Sequence, residues 1–195
     1  MNEMGIEIVS ESIKYWLSRT TKTGRGYEIH HLTGPDEHHW DVNNDAYTNY
    51  LVKYCFDTTL ELIKDGTLSF DKFNFSKNEY DELKKQALNL YISPSINGYI
   101  PQFDGYFDLS LKMESKIGSG SGPKMRYKGS YLKSQIIKQP DVLLLYSYVD
   151  IIDDHKDLAK NLDHYEKECE CSSSLSYAPL AICSSEADRM NSFLD

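Results

Sequence analysis

Residues 43–66 read NNDAYTNYLVKYCFDTTLELIKDG, and this run sets the fold class. Ala46, Tyr47, Tyr50, Leu51, Tyr54, Leu60 and Ile63 keep the spacing of one helical face, Asn43 or Asn44 offers an N-cap, and Gly66 offers a stop. Upstream, Ile6, Val9, Ile13, Trp16 and Leu17 trace a first helix that ends near Arg19. The polar run TTKTGRG then leads through residues 27–32 to a Gly34-Pro35 turn, which predicts a loop over residues 36–41 before the next helix. Downstream, Ser76 and Glu79 form an S-x-x-E capping box opening a third helix through Leu83, Ala87, Leu88 and Leu90, which Pro94 must end.

Residues 93–111 are broken by Pro94, Gly98, Pro101 and Gly105 and are rich in aromatics, the composition of an ordered loop wrapped on a core or site. Residues 118–123, GSGSGP, predict a flexible loop or short insertion, because helical patterning resumes after them over 134–148, 154–165 and 175–193. About six helices result and no convincing alternating strands, so the expected class is all-α. The loops exceed the roughly 2–8 residues usual in small bundles. A larger toroid of paired helices, with loops gathered over one mouth, accommodates them.

The chain of 195 residues suits one ordinary domain. An apolar share of 40%, with fifteen Tyr, is more than a disordered chain carries, and no stretch approaches the roughly 20 apolar residues of a membrane helix. The formal charge of −9, with its bases scattered, excludes nucleic acid and anionic lipid as partners. Tyr, Asn and Trp beside carboxylates suit a sugar, whose ring faces are apolar and whose hydroxyls seek amides and acids. Cys55, Cys169, Cys171 and Cys183 are unevenly spread and read as reduced thiols. The start MNEMGIEIVSESIKYW lacks a basic region followed by an apolar one, which predicts a cytoplasmic protein.

Glycosidic cleavage needs a carboxylic acid held protonated beside the leaving oxygen and a nucleophile on the opposite face of the sugar. The run Thr33-Gly34-Pro35-Asp36-Glu37-His38-His39 can supply the acid: the turn sets the backbone, and Asp36 would raise the proton affinity of Glu37 by like-charge repulsion. The bland alternative is a solvated acidic loop. His30, His31, His38 and His39 invite a metal reading but lack the i, i+4 spacing of a strong site, and Cys169-x-Cys171 has no second pair, so no metal is expected.

Four blocks carry a more specific signal. They are Tyr27-Glu28-Ile29 with residues 33–37 and Val42-Asn43-Asn44-Asp45-Ala46-Tyr47-Thr48-Asn49; Gln102-Phe103-Asp104-Gly105-Tyr106-Phe107-Asp108-Leu109; Ile137-Lys138-Gln139-Pro140-Asp141-Val142; and Ser173-Ser174-Leu175-Ser176. In this order the chain resembles glycoside hydrolase family 65, which includes maltose, kojibiose, nigerose and trehalose phosphorylases and related hydrolases. The resemblance implies that residues 1–195 form the C-terminal half of an (α/α)6 barrel, with the family's N-terminal β-sandwich and first half-barrel absent. It implies Glu37 as general acid, Lys138 and Gln139 as holders of the glucosyl unit, and Ser173 and Ser174 as phosphate binders at a helix start. An α-linked glucose disaccharide would be cleaved with inversion to β-glucose 1-phosphate. One catalytic carboxylate suffices there, inorganic phosphate being the co-substrate and no cofactor being required.

The chain departs from that pattern. The family's phosphorylases commonly carry Arg-Thr-x-His before Ser-Ser-Leu-Ser, where this chain reads Glu168-Cys169-Glu170-Cys171-Ser172. A carboxylate 4 Å from the phosphate opposes it by about 4 kcal/mol per pair of unit charges at an effective dielectric of 20. Glu166, Glu168 or Glu170 could instead act as base on water in an inverting hydrolase, and a truncated, non-catalytic paralogue is a third reading. His38 and Trp40 stand where the family more often has Tyr and Glu, and Asp45 where it often has Asn. Half a barrel would also expose apolar helix faces, at about 25 cal/mol per Å², which predicts self-association or a partner supplying the missing half.

Overall fold

The computed structural model describes residues 3–67, 69–110, 115–117, 126–128, 131–149, 151–152 and 155–187. Its helices are α1 (Glu3–Arg19), α2 (Ala46–Lys64), α3 (Lys77–Asn89), α4 (Asp141–Ser147), α5 (Leu158–Glu168) and α6 (Ser174–Glu186). Three antiparallel two-stranded pairs accompany them: β1 (Thr20–Thr23) with β2 (Gly26–Ile29), β3 (Leu32–Thr33) with β4 (Trp40–Val42), and β5 (Ser115–Ile117) with β6 (Arg126–Lys128). The chain is therefore helix-rich with hairpins, a refinement of the all-α expectation. Strands this short cannot display an alternating pattern, and β1, TTKT, has no buried residue at all. No helix among the described residues is long and apolar enough to cross a membrane.

Contacts gather into two compact units where length alone predicts one domain: Met1–His30 with Thr48–Ile92, and His31–Tyr47 with Ser93–Asp195. In the first unit α1 packs on α3 and on the 3-10 turn Phe70–Phe73, burying Ile6, Ile13, Phe73, Leu83 and Ala87. The expected capping box forms at the start of α3: the Glu79 N–H donates to Ser76 Oγ at 3.2 Å, and the Ser76 N–H to Glu79 Oε2 at 2.7 Å. α3 stops at Asn89, before Pro94 can act. Leu90 turns extended to bridge Tyr27, and the Tyr91 N–H donates to the Tyr27 carbonyl at 2.8 Å. α2 stops as expected, with Gly66 in a left-handed conformation at φ 76°.

In the second unit α4, α5 and α6 pack together, and α4 is buried from Asp141 through Tyr146. The helix expected over 134–148 shrinks to α4. Residues 136 and 137 are apolar because they lie buried in an extended segment that bridges Cys169: the Ile137 N–H donates to the Glu168 carbonyl at 3.0 Å, and the Glu170 N–H to the Ile137 carbonyl at 2.9 Å. A short apolar run fits helix and buried extended chain equally well. The aromatic loop is ordered as expected: its Ile100 N–H reaches Asn161 Oδ1 at 2.9 Å, its Gln102 carbonyl accepts from the Ala46 N–H at 2.8 Å, and Tyr106 Oη donates to the Gln135 carbonyl at 2.7 Å. The Gly/Ser stretch 118–123 and residues 188–193 of the expected last helix lie outside the described residues.

Candidate active site

The loop between β3 and β4 passes so close to two acids that it needs a glycine. A Cβ at Gly34 would lie 2.5 Å from Asp141 Oδ2 and 2.7 Å from Asp45 Oδ1. Pro35 follows, and the buried Asp36 then donates its N–H to Asp141 Oδ2 at 3.1 Å. The Asp36 carboxylate gathers four partners. Oδ1 accepts from the backbone N–H groups of His38 (3.1 Å) and Lys138 (2.8 Å); Oδ2 accepts from Gln102 Nε2 (2.9 Å) and pairs with His39 Nδ1 (2.6 Å). His39 Nε2 in turn donates to the Ser134 carbonyl at 2.8 Å. Such convergence is what a buried carboxylate requires. It also ties three segments together: the 33–39 loop, Gln102, and residues 134–138.

Asp141 sits beneath this hub. Burial pushes its carboxyl well above the usual carboxylate range, reinforced by the charges of Asp45 and Asp36, while the Asp36 N–H pulls the other way.

Glu37 faces the other way. Its side chain is 65% exposed and forms an ion pair with Lys138 Nζ, and that ammonium holds the Glu37 carboxyl below its ordinary value. This corrects the expectation that Asp36 raises it. The Asp36 charge is turned inward onto its own four donors, so the cation in contact with Glu37 decides the sign. The backbone of Lys138 is fixed independently, because its carbonyl accepts from Ser176 Oγ at 2.6 Å and Cys169 Sγ at 3.5 Å. Gln139 follows it, buried, and its Oε1 has no hydrogen-bond partner among the described residues.

Ser173 is the N-cap of α6, its Oγ accepting from the Leu175 N–H at 3.3 Å, and Ser174 is the first helical residue. Just before them, Glu170 is occupied. Its Oε2 pairs with His38 Nε2 at 2.5 Å and accepts from Ser172 Oγ at 3.4 Å, its Oε1 accepts from Tyr131 Oη at 3.3 Å, and the His38 ring stacks on Tyr131 at 3.7 Å. Two departures from the family pattern, at 38 and at 170, thus meet as a pair. Glu168 is half-buried, and that burial raises its carboxyl. The Cys169 and Cys171 thiols are hydrogen-bonded, which lowers Cys171 and raises Cys169.

The four histidines disperse over different carboxylates: His30 with Glu28, His31 with Asp41, His38 with Glu170 and His39 with Asp36. Among the described residues no three His, Cys, Asp or Glu side chains gather as a metal shell. Sequence reasoning singled out Glu37, Lys138, Gln139, Ser173 and Ser174. It missed the roles of Asp36, His39, Gln102 and Ser176, which position Lys138 or its loop. Asp36, Gln102 and Ser176 do stand within the quoted blocks and His39 beside them, but residue type alone gave none of them this positioning role.

The family described as glycosyl hydrolase family 65 central catalytic domain matches residues 1–195. The chain is 44% identical over 199 residues to 3-O-alpha-D-glucosyl-L-rhamnose phosphorylase of Lachnoclostridium phytofermentans, covering 100% of this chain and 26% of that protein. It is 34% identical to nigerose phosphorylase of the same organism, covering 89% of this chain and 25% of that protein. With kojibiose phosphorylase of Halothermothrix orenii the identity is 32%, over 95% of this chain and 26% of that protein. Among solved structures, one described as a kojibiose phosphorylase from the human microbiome superposes with a TM-score of 0.81 at 28% identity, covering 97% of this chain and 28% of that one. The chain spans about a quarter of the length of the curated relatives it matches.

Proposed function

The chain belongs to glycosyl hydrolase family 65, and from that premise we propose that it carries the general-acid half of an inverting α-glucoside phosphorylase, built as the C-terminal part of an (α/α)6 barrel. The observation that carries this reading is the Glu37–Lys138 ion pair on a loop whose neighbour, Asp36, binds the Lys138 backbone. Residues a hundred positions apart are thereby held as one unit at the surface.

In the proposed reaction Glu37 gives its proton to the glycosidic oxygen as phosphate attacks the anomeric carbon from the opposite face, yielding β-glucose 1-phosphate. Glu37 must first take up a proton. Lys138 turning from Glu37 to sugar hydroxyls removes the charge that lowers it, and a sugar seated over the carboxyl desolvates it; both raise its proton affinity. Gln139, next to Lys138 but buried, is assigned to the same glucosyl unit by the family resemblance. Ser173 and Ser174, at the start of the 13-residue α6, offer hydroxyls and helix-end N–H groups to the phosphate. Glu170 does not oppose that anion as a bare charge, because it is engaged by His38, Ser172 and Tyr131. Hydrolysis remains as a second reading, with Glu168 as base: burial raises its proton affinity, as a base working near neutrality needs.

The substrate to try first is 3-O-α-D-glucosyl-L-rhamnose, on the strength of the 44% relative, followed by nigerose, kojibiose, maltose and trehalose. Each is assayed with and without phosphate, using the chain alone and the chain supplemented with the N-terminal portion of a family 65 relative. Phosphate-dependent release of β-glucose 1-phosphate is expected, and Glu37→Gln should lower it about 10²–10⁴-fold with the unfolding midpoint unchanged. Phosphate-independent glucose release selects hydrolysis. A folded chain that turns over none of these disaccharides in either format, or a Glu37→Gln variant with full activity, refutes the assignment.

A further inference from the structure

Glu170 makes contacts on both sides of the Glu37–Lys138 ion pair. Through its backbone it reaches the lysine: its N–H donates to the carbonyl of Ile137, the residue before Lys138, at 2.9 Å. Through its side chain, only 7% exposed, it reaches the acid: Oε2 accepts from Nε2 of His38, the residue after Glu37, at 2.5 Å. A short bond from a carboxylate is directional and fixes the plane of the imidazole. Tyr131 holds the same ring from its face, stacked at 3.7 Å with 16° between the planes, and its own Oη donates to Glu170 Oε1 at 3.3 Å.

Glu37 therefore stands between two anchored neighbours. Asp36 is held by its four partners, and His38 is held twice, by its N–H on Asp36 Oδ1 at 3.1 Å and by its ring on Glu170. Glu170 also lies three residues before Ser173, the N-cap of α6, and its Oε2 accepts from Ser172 Oγ at 3.4 Å. One buried side chain thus connects the residue beside the proposed acid to the segment that leads to the proposed phosphate serines. Proton transfer needs heavy atoms about 2.6–3.2 Å apart, and a misplacement of about 1 Å can cost about 10²-fold in rate.

We propose that Glu170 is a positioning residue for proton transfer: acting through His38, it sets where the Glu37 carboxyl stands, on the proposed reading of Glu37 as proton donor. Two other roles for this carboxylate predict different behaviour. A bare charge opposing phosphate would slow the reaction, so its removal would speed turnover. A base acting on water would be lost equally on change to Gln or to Ala, because neither side chain can take a proton.

The test compares the disaccharide that the chain turns over fastest with phosphate against 2,4-dinitrophenyl α-D-glucoside, whose leaving group needs no proton. Glu170→Ala should lower kcat for the disaccharide by about 10²-fold and for the dinitrophenyl glucoside far less, the same split as Glu37→Gln. Glu170→Gln, which keeps an acceptor for His38, should recover most of the loss. Should Glu170→Ala fail to fold, His38→Phe, which keeps a ring against Tyr131 and lacks the hydrogen bond, should show the split. Equal losses on the two substrates overturn the proposal, as does a Glu170→Ala rate at or above that of the parent chain, or a Glu170→Gln rate as low as that of Glu170→Ala. If Glu37→Gln loses the disaccharide rate and Glu170→Ala does not, the positioning role alone falls. If Glu37→Gln keeps that rate, or the parent chain has none, the reading of Glu37 falls and the positioning role with it.

Discussion

Asp36 and Glu37 are neighbours of like charge with opposite surroundings. Asp36 is buried and accepts from two backbone N–H groups, a carboxamide and an imidazole that come from three parts of the second unit. Glu37 is exposed and meets one flexible lysine. The difference teaches that in this loop structure and chemistry are divided between adjacent residues. The carboxylate with every partner satisfied has no capacity left for a substrate, while the carboxylate with one displaceable partner does.

The division can be broken most visibly at its buried side. Asp36→Ala leaves His39 and two backbone N–H groups buried without an acceptor and should cost about 3–5 kcal/mol in a urea denaturation series, against little for Glu37→Ala in the same series. Equal losses at the two positions would abolish the distinction. Gly34→Ala tests how tightly the loop is seated over the acids, since its methyl meets two buried carboxylate oxygens. A loss of about 1–3 kcal/mol is expected, the usual range for overpacking.

The acid beneath the hub gives a pH signature. Asp141 has a folded pKa above its unfolded value, so the native state binds a proton that the unfolded state has released. Stability from this group is full at low pH and is lost as pH rises from the ordinary carboxylate value of 3.8 through the raised folded one. Asp141→Asn should flatten that fall in a series of denaturation curves taken at successive pH values. At the exposed side the expected change is smallest. Lys138→Met should leave stability unaltered while the Glu37 carboxyl, followed by NMR titration, moves up toward its ordinary 4.5.

Much of the fold is legible in local pattern. The helices α1 and α2, the Ser76–Glu79 box and the Gly66 stop depend on residues within a turn or two of one another, and each forms as expected, although α2 buries Val52 and Phe56 and leaves Tyr54, on the expected face, exposed. What fails is what distant partners decide. α3 ends where Leu90 finds Tyr27, and residues 134–140 stay out of the helix as Ile137 bridges Cys169. The candidate site divides in the same way. Glu37, Lys138 and the serines stand out as motif residues, but the sign of the Glu37 shift depends on which charge touches it. Glu170 looked like an uncompensated acid until His38, 132 residues away, supplied its partner.

The sequence alone determined that the chain is rich in helix, with the Ser76–Glu79 box and the Gly66 stop in place, and the family through four ordered blocks. These rest on residue type and short-range spacing, which the chain carries before it folds. Tertiary structure alone decided that Asp36 faces inward and Glu37 outward, and that Glu170 is paired. Protonation and pairing are set by which groups lie within a few ångströms and how much water is excluded, and only the packed chain defines either.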